Sequence, residues 1–181
     1  MVSISYPEDK FMKNFRACVV GIGFIGAAHI ETLRRLGNVE VVALSNTSNT
    51  QAKAEAYFVP KGYSDYREML DQEKPDVVHI CTPNASHYEI AMYAMQRNIA
   101  VVCEKPLTKT LEEARELAAY ARAHKIVTGV NFNCRWYPQT LQIKAMIENG
   151  EVGDIRTIHG GYLQDWLYND TDYSWRLEPE V

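Results

Sequence analysis

The chain has 181 residues, 46% hydrophobic and 23% charged, the balance of an ordinary globular protein, which sets aside disordered and fibrous classes. A net charge of −4 gives no pull toward nucleic acid or an acidic membrane, and no apolar run approaches the ~18 residues of a membrane span. Four cysteines, Cys18, Cys81, Cys103 and Cys134, are too widely spaced for a metal or redox motif; they read as reduced thiols, three of them in or at the ends of buried strands, and no metal is expected.

Residues 1–14 form a polar lead-in with acidic residues where a signal peptide would have its apolar region, so the expected location is the cytoplasm. An apolar run from Ala17 then enters Gly21-x-Gly23-x-x-Gly26, and Ala27, Ile30 and Leu33 follow at helical spacing. In that strand-turn-helix order the first glycine permits the turn, the second lets backbone approach a pyrophosphate, and the third allows helix and strand to pack closely. The helix start offers unpaired N–H groups to the diphosphate.

Gly37 and Asn38 stop the helix, and Val39 to Leu44 is a β-branched run suited to a parallel strand. At its end, where a carboxylate would take both ribose hydroxyls and mark NAD, stand Ser45, Asn46 and Thr47. Asn46 can accept a hydrogen bond without repelling a 2′-phosphate, which leaves NAD or NADP open; Lys53, on the next helix, reads as a solvated surface charge ahead of a phosphate ligand.

A helix over Gln51 to Tyr57, a short strand beginning at Tyr63, a helix over Tyr66 to Gln72 capped by Asp65, and a strand from Val77 to Cys81 continue the alternation. Repetition of strand and helix at this spacing predicts right-handed crossovers and a doubly wound parallel sheet of the α/β class. His79, inside a strand, reads as a hydrogen-bonded core histidine. Thr82-Pro83-Asn84-Ala85-Ser86-His87 follows at the strand's carboxyl end, where an open sheet binds ligands, although Asn84 or Ser86 could equally be a helix cap.

Ala100 to Cys103 is the next strand, ending in Glu104-Lys105-Pro106. A partly desolvated ammonium there can approach the pKa that proton transfer needs; the bland reading is a surface ion pair. Thr110 caps a helix to His124, with Glu113 completing a capping box. Ile126 to Val130 gives a further strand, Arg135 precedes a helix ending at Asn149-Gly150, and Ile155 to Leu163 has the alternation of a strand.

Together GIGFIGAAH, CTPNASHYE, CEKPLT and NFNCRWYP resemble, in order and spacing, the glucose-fructose oxidoreductase / inositol dehydrogenase / MocA family of NAD(P)-dependent oxidoreductases. The resemblance implies a Rossmann-type domain over residues 15–134, then the start of a second α+β domain for substrate and oligomerisation over 135–181. It implies that Gly21, Gly23, Phe24, Ile25 and Gly26 meet the cofactor near its pyrophosphate, with Ser45 and Asn46 at the ribose. Thr82, Pro83, Asn84 and His87 would line the nicotinamide side. Glu104 would hold the nicotinamide ribose, Lys105 would be the catalytic lysine on the hydroxyl being oxidised, and Arg135 would follow the last strand of the nucleotide domain.

Trp175 and Arg176 resemble a pair close to the substrate pocket. The implied reaction moves hydride from a secondary alcohol of a sugar or polyol to NAD or NADP, in a homo-oligomer; the alternatives are a non-catalytic cofactor-bound sugar sensor and an NAD-dependent redox glycosidase. The family's second domain continues for about as many residues again and supplies an Asp-x-Gly-x-His motif. His29, His79, His87, His124 and His159 do not fit it. The expectation is therefore a truncated or partial chain, weakly active or inactive without that motif's histidine, with Ile155 to Leu163 a strand without its neighbours, prone to association or poor order.

Overall fold

Short β-branched runs separated by amphipathic stretches fold here into six strands, all parallel, in the order β3-β2-β1-β4-β5-β6. The computed structural model describes residues 14–174 and 177–178. The strands are β1 (Phe15–Val20), β2 (Val39–Ser45), β3 (Lys61–Tyr63), β4 (Val77–Ile80), β5 (Ala100–Cys103) and β6 (Thr128–Val130). Between them run α1 (Phe24–Arg35), α2 (Thr50–Ala56), α3 (Tyr66–Glu73), α4 (His87–Met95) and α5 (Leu111–His124). Tyr63 closes β3 rather than beginning it. No helix among the described residues is long and apolar enough to cross a membrane.

Chain direction sorts the helices. Connections from β1 to β2 and β3 move one way across the sheet, those from β4 to β5 and β6 the other, and right-handed crossovers then place the two sets on opposite faces. Ala17, Val19, Val41 and Leu44 accordingly pack with Ile30 and Leu33 of α1 and Ala54 of α2. Cys18, Val20, Val78, Ile80, Val101 and Cys103 pack with Met69, Leu70, Ile90, Met95 and Leu117 of α3, α4 and α5. Ile30, Leu44, Ile80 and Ile90 are fully enclosed, each contributing about 1.5–3 kcal/mol of burial.

The stripe that α1 buries is Gly26, His29, Ile30 and Leu33, one notch from the expected Ala27, Ile30 and Leu33. A polar ring therefore sits where the helical period puts core, and it must find partners there. The helix starts expected at Asp65 and Thr110 are as read: Asp65 accepts from the Arg67 N–H at 2.8 Å, and Thr110 and Glu113 form a reciprocal capping box. Of the two residues read equally as cap or site, Ser86 is the N-cap residue of α4, but its side chain makes no cap bond. Ser86 Oγ instead donates to Thr82 Oγ1 at 2.7 Å and Pro83 O at 2.9 Å, bracing its own loop.

At the opposite end of the sheet from that loop, the buried Glu73 carboxylate receives Lys61 Nζ at 2.8 Å, Tyr63 OH at 2.6 Å and Arg16 Nη2 at 3.2 Å. Burial acts to raise its pKa, but the hydrogen bonds from Lys61 and Tyr63 outweigh it and hold the carboxyl below its ordinary value. A depressed carboxyl stabilises the fold above its unfolded value of about 4.5, and that contribution disappears as pH falls through the folded one. Glu73→Gln is expected to remove about 2 kcal/mol at neutral pH, less than the ~3–5 of a fully buried pair because Lys61 and Arg16 stay near water. Urea melts from pH 7 to 3 should show a shallower acid decline in the variant.

The chain divides into two compact units at Asn131/Phe132. The second holds a 3₁₀ turn at Asn133–Trp136 and α6 (Pro138–Glu148), opened by the proline and followed by Gly150 at φ +75°. Ile155 to Leu163, expected as a strand, forms no regular element and pairs with no strand. Alternation supplies the two faces of a strand but not the neighbour that completes its hydrogen bonds, and no strand is present among this unit's described residues.

Candidate functional site: a cleft at the point where strand order reverses

β1 lies between β2 and β4, so the chain leaves it in one direction and returns to its other side. Loops diverge at such a point, and a crevice opens beyond the carboxyl ends. Gly21 stands there at φ +88°, a conformation that L side chains rarely adopt; a Cβ on it would lie 2.8 Å from the backbone of Cys81 and Thr82. At Gly26 a Cβ would come 2.1 Å from the Gly21 carbonyl oxygen. Gly23 is different: a Cβ there would meet nothing within 4 Å. Two glycines thus serve internal packing, and the middle one leaves room for a ligand against bare backbone.

That room faces the start of α1, which has neither a side-chain cap nor an acidic residue in its first turn. Its leading N–H groups and dipole end remain available to an anion. Phe24 is 90% exposed at this end and Ile25 half-buried, apolar surface bordering the turn. The donor set suits a diphosphate, with neutral backbone N–H groups and no acidic residue in the first turn of α1.

A cavity of about 510 Å³ opens beside the turn, bordered by Gly21, Ser45, Asn46, Thr82, Pro83 and Ser86. The residues expected at the ends of β1, β2 and β4 therefore come together. Asn46 also braces the site from within, since its Oδ1 accepts from the Ile22 N–H at 3.0 Å and its Nδ2 donates to Ser48 O at 2.7 Å, tying β2 to the glycine turn. Ser45 O accepts the Gly21 N–H at 2.8 Å. Lys53 is not the free solvated charge expected; it is half-buried, with Nζ donating to Ile22 O at 2.5 Å.

Sequence reasoning missed Ser64, Tyr66 and Arg67, which also border the cavity, and took Asp65 only as a cap. They follow the carboxyl end of β3, so the rule applied to Thr82 would have found them. Arg67 lies 4.6 Å over the Tyr66 ring and pairs with Glu89.

His87 is wholly buried, with Nδ1 2.8 Å from Pro106 O and Nε2 2.8 Å from Thr82 O. It fastens the loop after β4 to the loop after β5, and both ring nitrogens are occupied in doing so. Asn84 opens the intervening 3₁₀ turn.

Glu104 and Lys105 separate sharply, which overturns the surface ion pair. Glu104 is 7% exposed; its Oε1 receives Asn131 Nδ2 and lies 3.0 Å from His29 Nε2, while Oε2 accepts the Lys105 N–H at 3.3 Å. His29 Nδ1 is in turn 2.8 Å from His79 Nδ1. Burial acts to raise the Glu104 pKa, but the hydrogen bonds from Asn131 and His29 prevail and hold it below the ordinary carboxylate value. His79 is pushed down to about 4 by burial and then by His29, so its ring is neutral; it is the hydrogen-bonded histidine expected. Lys105 is exposed, and its ammonium has no hydrogen bond or ion pair among the described residues. The enclosure that would desolvate it is not supplied by them.

Arg135 lies in the 3₁₀ turn of the second unit. Trp175 and Arg176 lie outside the described residues.

Residues 15–132 match the profile of an oxidoreductase family with an NAD-binding Rossmann fold. The levoglucosan dehydrogenase of Pseudarthrobacter phenanthrenivorans is 32% identical over 94% of this chain and 46% of its own length. The inositol 2-dehydrogenase of Salmonella typhimurium is 35% identical over 80% of this chain and 45% of its own. A solved levoglucosan dehydrogenase in complex with NADH superposes with a TM-score of 0.88 at 29% identity, over 93% of this chain and 48% of that one. The chain thus spans less than half the length of these relatives.

Proposed function

Since the chain belongs to the glucose-fructose oxidoreductase / inositol dehydrogenase / MocA family, whose Rossmann fold binds NAD(P), we propose that it serves a dehydrogenase acting on a secondary alcohol of a sugar or polyol. The observation that carries the reading is the glycine turn: Gly23 leaves open backbone at an uncapped helix start, beside a cavity large enough for part of a dinucleotide. Gly21, Gly23, Phe24 and Ile25 would hold the diphosphate region. Thr82, Pro83 and Asn84 would border the nicotinamide end, and Glu104 would take a ribose hydroxyl.

When bound, NAD or NADP supplies the acceptor for the hydride leaving the alcohol carbon. Lys105, in its amine form, would take the alcohol's O–H proton, leaving a carbonyl and an ammonium. Its lack of a hydrogen-bond or ion-pair partner among the described residues supports that role over a structural one. His87, by fastening the loops after β4 and β5, sets where Thr82 and Lys105 stand relative to each other. By the family resemblance Arg135 would bind the cofactor and Trp175 and Arg176 the substrate, and residues 135–181 would open a second α+β domain with a part in oligomer formation.

The match to levoglucosan dehydrogenase runs through nearly the whole chain, beyond the nucleotide-binding portion, and favours a sugar ring as substrate. The test is nicotinamide absorbance with NAD and with NADP across levoglucosan, simple glucosides, inositols and apiose. Reduction with at least one member supports the proposal. Tight dinucleotide binding with silence across the panel by a full-length version as well would move the reading to a cofactor-bound sensor, and glycoside cleavage without net reduction to a redox glycosidase.

A further inference from the structure

Four polar side chains remote in sequence converge beneath the loop that carries Lys105: His29 from α1, His79 from β4, Glu104 from the end of β5 and Asn131 just past β6. The two oxygens of Glu104 are treated differently. Oε1 is engaged by both Asn131 Nδ2 and His29 Nε2, whereas Oε2 accepts, among the described residues, only one backbone N–H, at 3.3 Å. One oxygen is anchored and the other retains capacity for a ligand hydroxyl.

We propose that His29 is a positioning residue for dinucleotide binding, holding Glu104 through Oε1 so that Oε2 is presented to a ribose hydroxyl, and that His79 fixes the tautomer in which His29 can do so. The inference rests on the reading that Glu104 contacts the dinucleotide.

The tautomer follows from hydrogen-bond accounting. A carboxylate oxygen accepts only, so the 3.0 Å contact with Glu104 Oε1 needs the proton on His29 Nε2, and Asn131 Nδ2, 3.2 Å from that nitrogen, gives its hydrogen to Oε1 and not to the ring. In a neutral His29 ring, Nδ1 is then a bare acceptor, and the 2.8 Å contact requires the proton on His79 Nδ1. The neutral His79 ring can provide it. For the neutral His29 ring the chain of donation runs from His79 to His29 to Glu104, from β4 to the mouth of the sheet. This arrangement parallels the way a second partner fixes the ring nitrogen a histidine offers to a metal.

The other titratable groups around the carboxylate are the Cys81 and Cys103 thiols, both raised by burial and then by Glu104, with Cys103 at about 12, and the exposed Lys105 on the following residue. Neither thiol ionises near neutral pH, so His29 and Asn131 carry the support of the negative charge.

The test measures fluorescence of NADH and NADPH on titration of the chain and its variants from pH 5 to 8, with ¹⁵N-histidine NMR of the unaltered protein. His29→Leu is expected to weaken affinity about tenfold, the scale of one hydrogen bond to a charged group. With one donor lost, the Glu104 pKa rises, so the variant should lose affinity at a higher pH than the unaltered chain as the solution is acidified. His29→Gln, whose amide N–H can replace the ring Nε2–H, should recover most of both effects, which a packing role alone would not produce. NMR should find His29 protonated on Nε2.

Binding by the unaltered chain alongside an His29→Leu variant of equal affinity and pH profile would overturn this inference and leave the dinucleotide reading intact. If the unaltered chain binds neither cofactor, the dinucleotide reading itself fails. Should His29→Leu not fold, the tautomer decides: a bare His29 Nε2 overturns the inference.

Discussion

Gly26→Ala is expected to destabilise the nucleotide-binding unit by about 3 kcal/mol and to abolish dinucleotide binding, as read by urea melts and NADH fluorescence. The added methyl would sit 2.1 Å from the Gly21 carbonyl oxygen, well inside contact distance. Relief requires α1 to move off β1 or the turn to open, and either displaces the uncapped N–H groups at the start of α1. The clash is with backbone, which has no rotamer to yield. Gly23→Ala provides the contrast: its methyl meets nothing within 4 Å, so stability should change little while affinity falls through crowding of the diphosphate. Equal loss of stability in the two variants would show that the turn is not divided between packing and ligand approach.

Lys105→Met should lower turnover by about 10²–10⁴, the usual span for a placed proton-transfer group, on whichever alcohol responds in the substrate panel. Dinucleotide affinity should shift less than about threefold, because the exposed ammonium supports no described element and Met retains the aliphatic stem. Turnover kinetics with a parallel dinucleotide titration separate the two quantities. Equal losses in both would recast Lys105 as a binding group, and no loss in either would remove it from the chemistry.

The features legible in the sequence are those that local backbone physics determines. Gly21, Gly23 and Gly26 announce the turn because all three lie within six residues, and the demand on Gly26 comes from the Gly21 carbonyl inside that same turn. Thr110 and Glu113 announce a helix start because both partners of the capping box lie within one turn. The alternation of strands and helices implied a parallel sheet by the same logic of short connections.

What escaped was joined across long separations. His29 meets His79 fifty residues away and Glu104 seventy-five away, and nothing near Glu104 in the chain distinguishes it from an exposed strand-end acid. Asn46 was readable as a ribose ligand, but its bond to the Ile22 N–H depends on the β1–β2 register. The expected strand from Ile155 to Leu163 failed for the same reason in reverse: its periodicity is local and its partner is not. His29 did leave a signal, a polar ring at the buried period of α1, where core placement obliges it to find a partner.

The most direct test is a crystal structure of this chain with NADH or NADPH bound. The diphosphate is expected over Gly23 at the start of α1, with a ribose hydroxyl on Glu104 Oε2 and Lys105 Nζ beside the nicotinamide ring. A dinucleotide seated away from the glycine turn, or a Lys105 ammonium turned from the nicotinamide, would contradict this placement.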